Sequence, residues 1–310
     1  MRGLPSLHPV IAAGSVLLAL ACSPARSPQN ASAGAEAGGE ARSGESGGVA
    51  INLGLLKPGM ARIPGGTFQM GSPDGEGEAD EHPRHPVFVR EFDMDITEVT
   101  VAAYTTCAKT LGCSPARSLD VPEIKAEDRA LYQENCNGLR PDRPNHPINC
   151  VTWQQADLYC RTLNKRLPTE EEWEYAARGG TRMRRYPWGD EPPGIDRLNG
   201  CGGECVDMAR RHNKQWRALF GARDAWPSTA PVGSFPAGKS AHGLADLAGN
   251  VFEWTASAYS KDYSRQHATA ARVVRGGGWN SYQPEDLRAA FRLWLPPTFR
   301  GVSLGFRCAK

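Results

Sequence analysis

The chain has 310 residues and is short of net charge, of long apolar runs and of histidines in metal-binding order. Lys and Arg number 36 against 34 Asp and Glu, a formal net charge of +2. Such a balance leaves no basic footprint for a polyanion, so no nucleic-acid partner is expected. The longest apolar run, Val10 to Ala21, falls short of the roughly 20 residues that a membrane-crossing helix needs. His82 and His85 sit beside prolines in a loop, while His146, His212, His242 and His267 are scattered. No histidines stand four apart on a helix, the spacing that would put two ligands on one face.

The short apolar run instead fits an export signal. Arg2 supplies a basic start, and Leu18-Ala-Leu-Ala-Cys22 closes the run with small residues ahead of a cysteine. That ending resembles a bacterial lipobox, with residues 1–21 as the signal peptide and Cys22 lipidated; plain secretion after Ala21 is the alternative. Ser23 resembles the pattern sent to the outer membrane. Residues 22–58 are mostly Ala, Gly, Ser, Glu and Pro, with too few large apolar side chains to offset ordering entropy. They read as a lipidated, disordered tether. The expected location is the bacterial outer membrane or periplasm, with membrane contact through the lipid anchor only. From 59 to 310 no similar break occurs, so one large domain is expected.

Nine cysteines are present, and removing Cys22 leaves eight. An even number in an exported chain points to disulfides. Local separation favours Cys107 with Cys113, Cys136 with Cys150, and Cys201 with Cys205, leaving Cys160 and Cys308. Spacing alone leaves on the order of 100 connectivities open. Cys201-Gly-Gly-Glu-Cys205 can also be read as two zinc thiolates, although a second nearby pair is missing.

Thirty-four glycines and 24 prolines predict short elements and many turns. Alternation over Thr67-Phe-Gln-Met70 predicts a strand, followed by an acidic loop and a second strand over 85–94. Glu98 to Tyr104 leads into a short helix ending near Cys107. Thr152-Trp-Gln-Gln155 and Thr169-Glu-Glu-Glu172 both have the form of capping boxes. Glu170 and Glu171 suit the positive end of a helix dipole, so these carboxylates need no acid–base role.

Several segments, in order, resemble the formylglycine-generating enzyme, or sulfatase-modifying factor, superfamily. They are Gly65-Gly-Thr-Phe-Gln-Met-Gly71, Glu98-Val-Thr-Val-Ala-Ala-Tyr104, Arg166-Leu-Pro-Thr-Glu-Glu-Glu-Trp-Glu-Tyr-Ala-Ala-Arg178, Tyr186-Pro-Trp-Gly-Asp190, Arg275-Gly-Gly-Gly-Trp279 and Gly305-Phe-Arg-Cys308. The resemblance covers Met60 to Ala309. It implies a compact, irregular α+β fold of C-type-lectin-like form, low in regular secondary structure and stapled by disulfides. It also implies that a Tyr-Cys helix is tied to the terminal strand, Cys160 to Cys308.

The resemblance further implies an oxidase site with two cysteines five positions apart, but here those positions are Ser281 and Asp286. Neither group supplies the thiolate that soft Cu(I) and a redox relay require, so no copper is expected. No Gly-x-Ser-x-Gly turn surrounds Ser281 to suggest a hydrolase. A remodelled groove of Trp279, Asn280, Tyr282, Glu285, Arg288 and Arg292 is expected for a polar ligand, a peptide or an envelope protein; the alternative for the two arginines is pairing with buried carboxylates. For Ca²⁺, the resemblance implies Asp246, the carbonyls of Gly249 and Val251, and Glu253. A second site would use Asn199 and Asp224 with the carbonyls of Gly200 and Trp226. The expected function is a non-catalytic binding or accessory module, the alternative an oxidoreductase with different active-site chemistry.

Overall fold

The structure is a computed structural model that describes residues 59–116 and 124–310. The expected signal segment, Cys22 and the tether lie outside the described residues. Two antiparallel ribbons open the domain. Met60–Ile63 (β1) pairs with Phe92–Asp95 (β4), and Gly66–Met70 (β2) pairs with His85–Val89 (β3). The single strand expected over 85–94 is therefore two, broken at Arg90-Glu91 so that each half meets a different partner. In β2 the side-chain alternation of a strand buries Phe68 and Met70 and exposes Thr67 and Gln69.

Threonine caps set the helix starts. The Thr100 side chain accepts from Ala103 N at the start of Val101–Thr110 (α1). Thr152 and Thr169 form full capping boxes with Gln155 and Glu172 at Trp153–Thr162 (α3) and Glu170–Ala177 (α4). Each such cap contributes about 1 kcal/mol. Arg129–Asn135 (α2) and Gly203–Arg211 (α5) are the other α-helices among the described residues. The later chain forms one sheet from Phe252–Ala258 (β5), Arg272–Arg275 (β6), Leu293–Leu295 (β7) and Leu304–Gly305 (β8), in the order β7-β6-β5-β8. Its neighbours are antiparallel except β8, which runs parallel to β5.

The core lies where α4 meets β2 and the four-stranded sheet. Trp173, Trp254 and Trp279 are fully buried, and Phe68 packs edge-on against Tyr175 with ring centres 5.3 Å apart. Tyr104, Tyr159 and Phe306 form a second aromatic group beneath α1 and α3. Residues 306–310 close the molecule over its first half. Val99 N donates to the Phe306 carbonyl, Asp95 N to that of Cys308 and Asp93 N to that of Lys310.

Four disulfides join Cys107 to Cys113, Cys136 to Cys150, Cys160 to Cys308 and Cys201 to Cys205. The Cys201–Cys205 bond takes both thiols of the alternative zinc reading. Buried arginines supply the remaining cohesion. Arg275 donates to Glu170 at 2.7 Å, to Glu174 at 2.8 Å and to the carbonyls of Ala289, Ala290 and Phe291. A guanidinium can be buried this deeply because its charge is paired and its donors are satisfied.

Candidate functional site

The turn after β6 brings together the two positions where the sequence departs from an oxidase. Gly276 and Gly277 take φ of +96° and +72°. A Cβ on Gly277 would lie 3.2 Å from both the Ser281 hydroxyl oxygen and the Asp286 carbonyl oxygen. Only glycine leaves the backbone free to fold residues 281 and 286 against this point. Both side chains are fully buried. Ser281 Oγ accepts from Gly278 N at 3.1 Å, and Asp286 belongs to the 3-10 turn Pro284–Leu287.

The surrounding side chains do not form one open groove. Trp279 is buried, donating its indole N–H to the Val302 carbonyl and packing 5.4 Å from the Trp216 ring. Arg288 donates to both Glu81 carboxylate oxygens, each at 2.7 Å, and to Ser72 Oγ at 2.9 Å. Arg292 grips both oxygens of Glu170 at 2.8 and 2.7 Å, donates to the carbonyls of Asp80 and Ser260, and lies over the Tyr263 ring. Both arginines therefore hold the fold together rather than waiting for a ligand. Asn280 and Tyr282 are half-buried and Glu285 is exposed, so these three keep contact with solvent. A cleft of about 310 Å³ opens beside Arg288, bordered by Ser72, Glu76, Arg185 and Asp190. Another of about 360 Å³ lies over Glu170 and Arg292, rimmed by Thr169, Ser257, Ser260 and Tyr263.

Glu81 is a partner that sequence reasoning missed. Burial alone would raise its carboxyl, but the hydrogen bonds and charge of Arg288, with Ser72, hold it below the ordinary glutamate range. The sole sequence signal was position: Glu81 sits in an acidic loop that otherwise reads as solvated.

The loop over 242–254 curls tightly. Asp246, Gly249 and Asn250 take φ of +57°, +79° and +57°. A Cβ on Gly249 would stand 2.3 Å from the Asn199 carbonyl oxygen. Asp246 Oδ2 accepts from Gly233 N at 2.5 Å, and Val251 is fully buried. Glu253 is fully buried as well. Its Oε1 accepts from Arg307 Nε and Nη2 at 2.9 and 2.7 Å, and its Oε2 from Arg307 Nε at 2.8 Å and Trp173 Nε1 at 2.9 Å. Facing Asp246 is Glu98, also fully buried and absent from the sequence expectation. Burial, and then the charge of Asp246, raise Glu98 well above the usual glutamate range.

In the second segment Asn199 Nδ2 donates to the Ser228 carbonyl and to Asn250 Oδ1. Asn199 Oδ1 is buried with no hydrogen-bond partner among the described residues, and so is Asp224 Oδ2. Burial raises the Asp224 carboxyl, and nearby Glu204 adds to the effect. Orphaned oxygens at both Asn199 and Asp224 fit a hard cation, which would satisfy them. Gly200 directly follows Asn199, and Trp226 lies two residues beyond Asp224, its N–H donating to Asp224 Oδ1 at 2.9 Å.

Residues 53–310 match the family described as the sulfatase-modifying factor enzyme 1-like domain. The chain is 38% identical over 295 residues to a formylglycine-generating enzyme of Streptomyces coelicolor, covering 81% of this chain and 88% of that one. It is 31% identical to a Bos taurus protein named inactive C-alpha-formylglycine-generating enzyme 2, covering 81% and 87%. Among solved structures it is similar to PvdO from Pseudomonas aeruginosa, with a TM-score of 0.62 and 27% identity over 81% of this chain and 93% of that one. With the motifs in order and the fold in agreement, the chain belongs to the sulfatase-modifying factor family.

Proposed function

We propose that this protein is an exported, lipid-anchored, non-catalytic binding or accessory module of the cell envelope, stapled by disulfides and stabilised by Ca²⁺. One observation carries the reading: Ser281 and Asp286 are buried at the two positions where the family's oxidase chemistry calls for thiols. The eight cysteines from Cys107 to Cys308 are all in disulfides elsewhere. A hydroxyl and a carboxylate cannot relay electrons from a substrate cysteine, and neither is a soft ligand for Cu(I). Similarity to a bovine relative named inactive supports the same conclusion. The half-buried Asn280 and Tyr282, exposed Glu285 and the two polar clefts offer the mixed hydrogen-bonding surface that suits a peptide, an envelope protein or a polar ligand.

For the cation, Asp246, Glu253 and the carbonyls of Gly249 and Val251 would form one site, and Asn199, Asp224 and the carbonyls of Gly200 and Trp226 the second. Ca²⁺ supplies no chemistry to a substrate in this reading; it fixes loops that contain little regular structure. The test uses the full chain with its disulfides intact. It is incubated with a cysteine-containing peptide, copper and oxygen, and the peptide is read by mass spectrometry for an aldehyde; metal content is measured alongside. The expected result is one or two Ca²⁺ per chain, no copper or iron, and an unchanged peptide. Aldehyde formation with stoichiometric copper or iron overturns the proposal. Membrane release of a Cys22→Ala variant tests the anchor.

A further inference from the structure

The cleft of about 360 Å³ over Glu170 and Arg292 combines an open aromatic rim with hydroxyl groups whose protons are unused. Trp294, on the edge strand β7, keeps 48% of its surface exposed, while its neighbour Leu295 is buried. The Trp294 ring lies 5.5 Å from that of Tyr259, tilted by 30°. The Arg292 guanidinium lies over Tyr259 at 5.2 Å and over Tyr263 at 4.1 Å, which joins the rim to the cleft wall. Tyr263 has a φ of +60°, a conformation that a bulky side chain rarely adopts. The turn that holds it there is braced by Asp262, whose carboxylate accepts from the Ser260 hydroxyl and Ser264 N and meets His267 Nδ1. The wall is pre-formed.

Inside the cleft, Ser257 Oγ accepts from Glu170 N, Thr169 Oγ1 from Glu172 N and Ser264 Oγ from Gln266 N. Each hydroxyl is thus fixed by the backbone, and its own proton has no acceptor among the described residues. The half-buried Glu171 carboxylate likewise forms no hydrogen bond or ion pair among them. Arg275 and Arg292 are offset by Glu170 and Glu174, so no positive charge is left over for a phosphate or a nucleotide. Fixed donors, one acceptor and an aromatic face without net positive charge match a neutral, hydroxyl-rich ring. A pyranose offers C–H groups to the negative face of an indole and hydroxyls that both donate and accept. We propose that this cleft binds a neutral sugar residue of a glycan chain, stacked on Trp294 and hydrogen-bonded by Thr169, Ser257, Ser264 and Glu171. Its volume stands at the lower end of the roughly 300–1,000 Å³ of small-ligand sites. It seats a single ring while the rest of a chain runs out over the rim.

The inference rests on the binding-module reading above, and the experiment separates the two. The full chain with intact disulfides is titrated, by calorimetry and tryptophan fluorescence, with tetramers of N-acetylglucosamine, of β-linked glucose and of mannose. Saturable binding of at least one is expected, with acrylamide quenching of the exposed indole falling as sugar is added. Trp294→Ala should bind at least about 10-fold more weakly and Trp294→Phe should recover part of the loss, both melting near wild type. Glu171→Gln should weaken binding about 5-fold, and added salt should change nothing, since the ligand carries no charge. Preference for the amino-sugar tetramer, with capture on insoluble peptidoglycan, supports the proposal with the cell wall as source. Preference for a hexose tetramer supports it with a surface or secreted polysaccharide as source. No saturable binding of any tetramer up to about 10 mM, or binding that Trp294→Ala leaves intact, overturns it. So does binding of tetramethylammonium in place of the sugars, which would make the rings a cation site. Should Trp294→Ala not fold, Glu171→Gln and the quenching of wild type decide. Failure here leaves the non-catalytic reading standing, because that reading falls only if the peptide assay yields aldehyde.

Discussion

Removing the Cys160–Cys308 disulfide should destabilise the domain far more than removing Cys201–Cys205, though each deletes one buried bond. The first joins residues 148 apart in sequence, the second residues only 4 apart. Loop-closure entropy then assigns roughly 5 kcal/mol to the long loop and roughly 2 kcal/mol to the short one. All four sulfurs are fully buried, so Cys→Ala leaves similar cavities in both cases and the difference, roughly 3 kcal/mol, reports the chain entropy. The comparison is between Cys160→Ala/Cys308→Ala and Cys201→Ala/Cys205→Ala, unfolded in urea under non-reducing conditions. For m of about 3 kcal/mol/M, the first variant should reach its midpoint about 1 M urea earlier than the second. Equal midpoints, or the reverse order, would refute the reasoning and show that stabilisation comes from local packing around each bond.

Glu81→Gln leaves the Arg288 guanidinium buried against a neutral partner and should cost about 3–5 kcal/mol. Because the folded carboxyl is held below its ordinary range, the Glu81 contribution is complete above about pH 4.3 and is lost as pH falls through the depressed value. The deficit of Glu81→Gln, measured by urea unfolding, should therefore shrink in acid. His146 is pushed down to about 4 by burial and then by Arg143, so the folded state resists its protonation. Stability should fall between about pH 6.5 and pH 4, by about 3 kcal/mol at most, and His146→Gln should flatten that window. Gly249→Ala places a methyl against the Asn199 carbonyl at a positive φ and should lower the melting temperature by several degrees as well as weaken Ca²⁺ binding. A calorimetric titration that leaves Gly249→Ala unchanged would disprove the tight loop.

Local signals in the sequence were read most surely. The capping boxes at Thr152 and Thr169 are interactions within four residues, and the three short disulfides join cysteines that are neighbours in the chain. What escaped the sequence is long-range polar pairing. Nothing about Glu81 distinguishes it from the exposed acids around it, since its partner Arg288 lies 207 residues away. Glu98 likewise carries no mark of burial, because Asp246 and Asn250 come from a distant loop. For Arg288 and Arg292 the reading of pairing with buried carboxylates holds; only the identity of the partners, Glu81 and Glu170, was hidden. The break of the second strand at Arg90-Glu91 was also hidden, as its two halves differ in pairing and not in composition.

The closing of residues 306–310 over residues 93–99 gives the domain the logic of a clasp. Hydrogen bonds run from Asp93, Asp95 and Val99 to this segment, and Ala309 bridges to both Met94 and Arg166. Without residues 306–310 the Asp93 and Asp95 amides of β4 lose their acceptors, the Asp95 carboxylate loses the Cys308 N–H, and Cys160 loses its disulfide partner. A nascent domain should thus stay incomplete until residues 306–310 are available. A backbone cut ahead of residue 306 leaves the segment tied through Cys160–Cys308, so the clasp should open only when that bond is reduced as well.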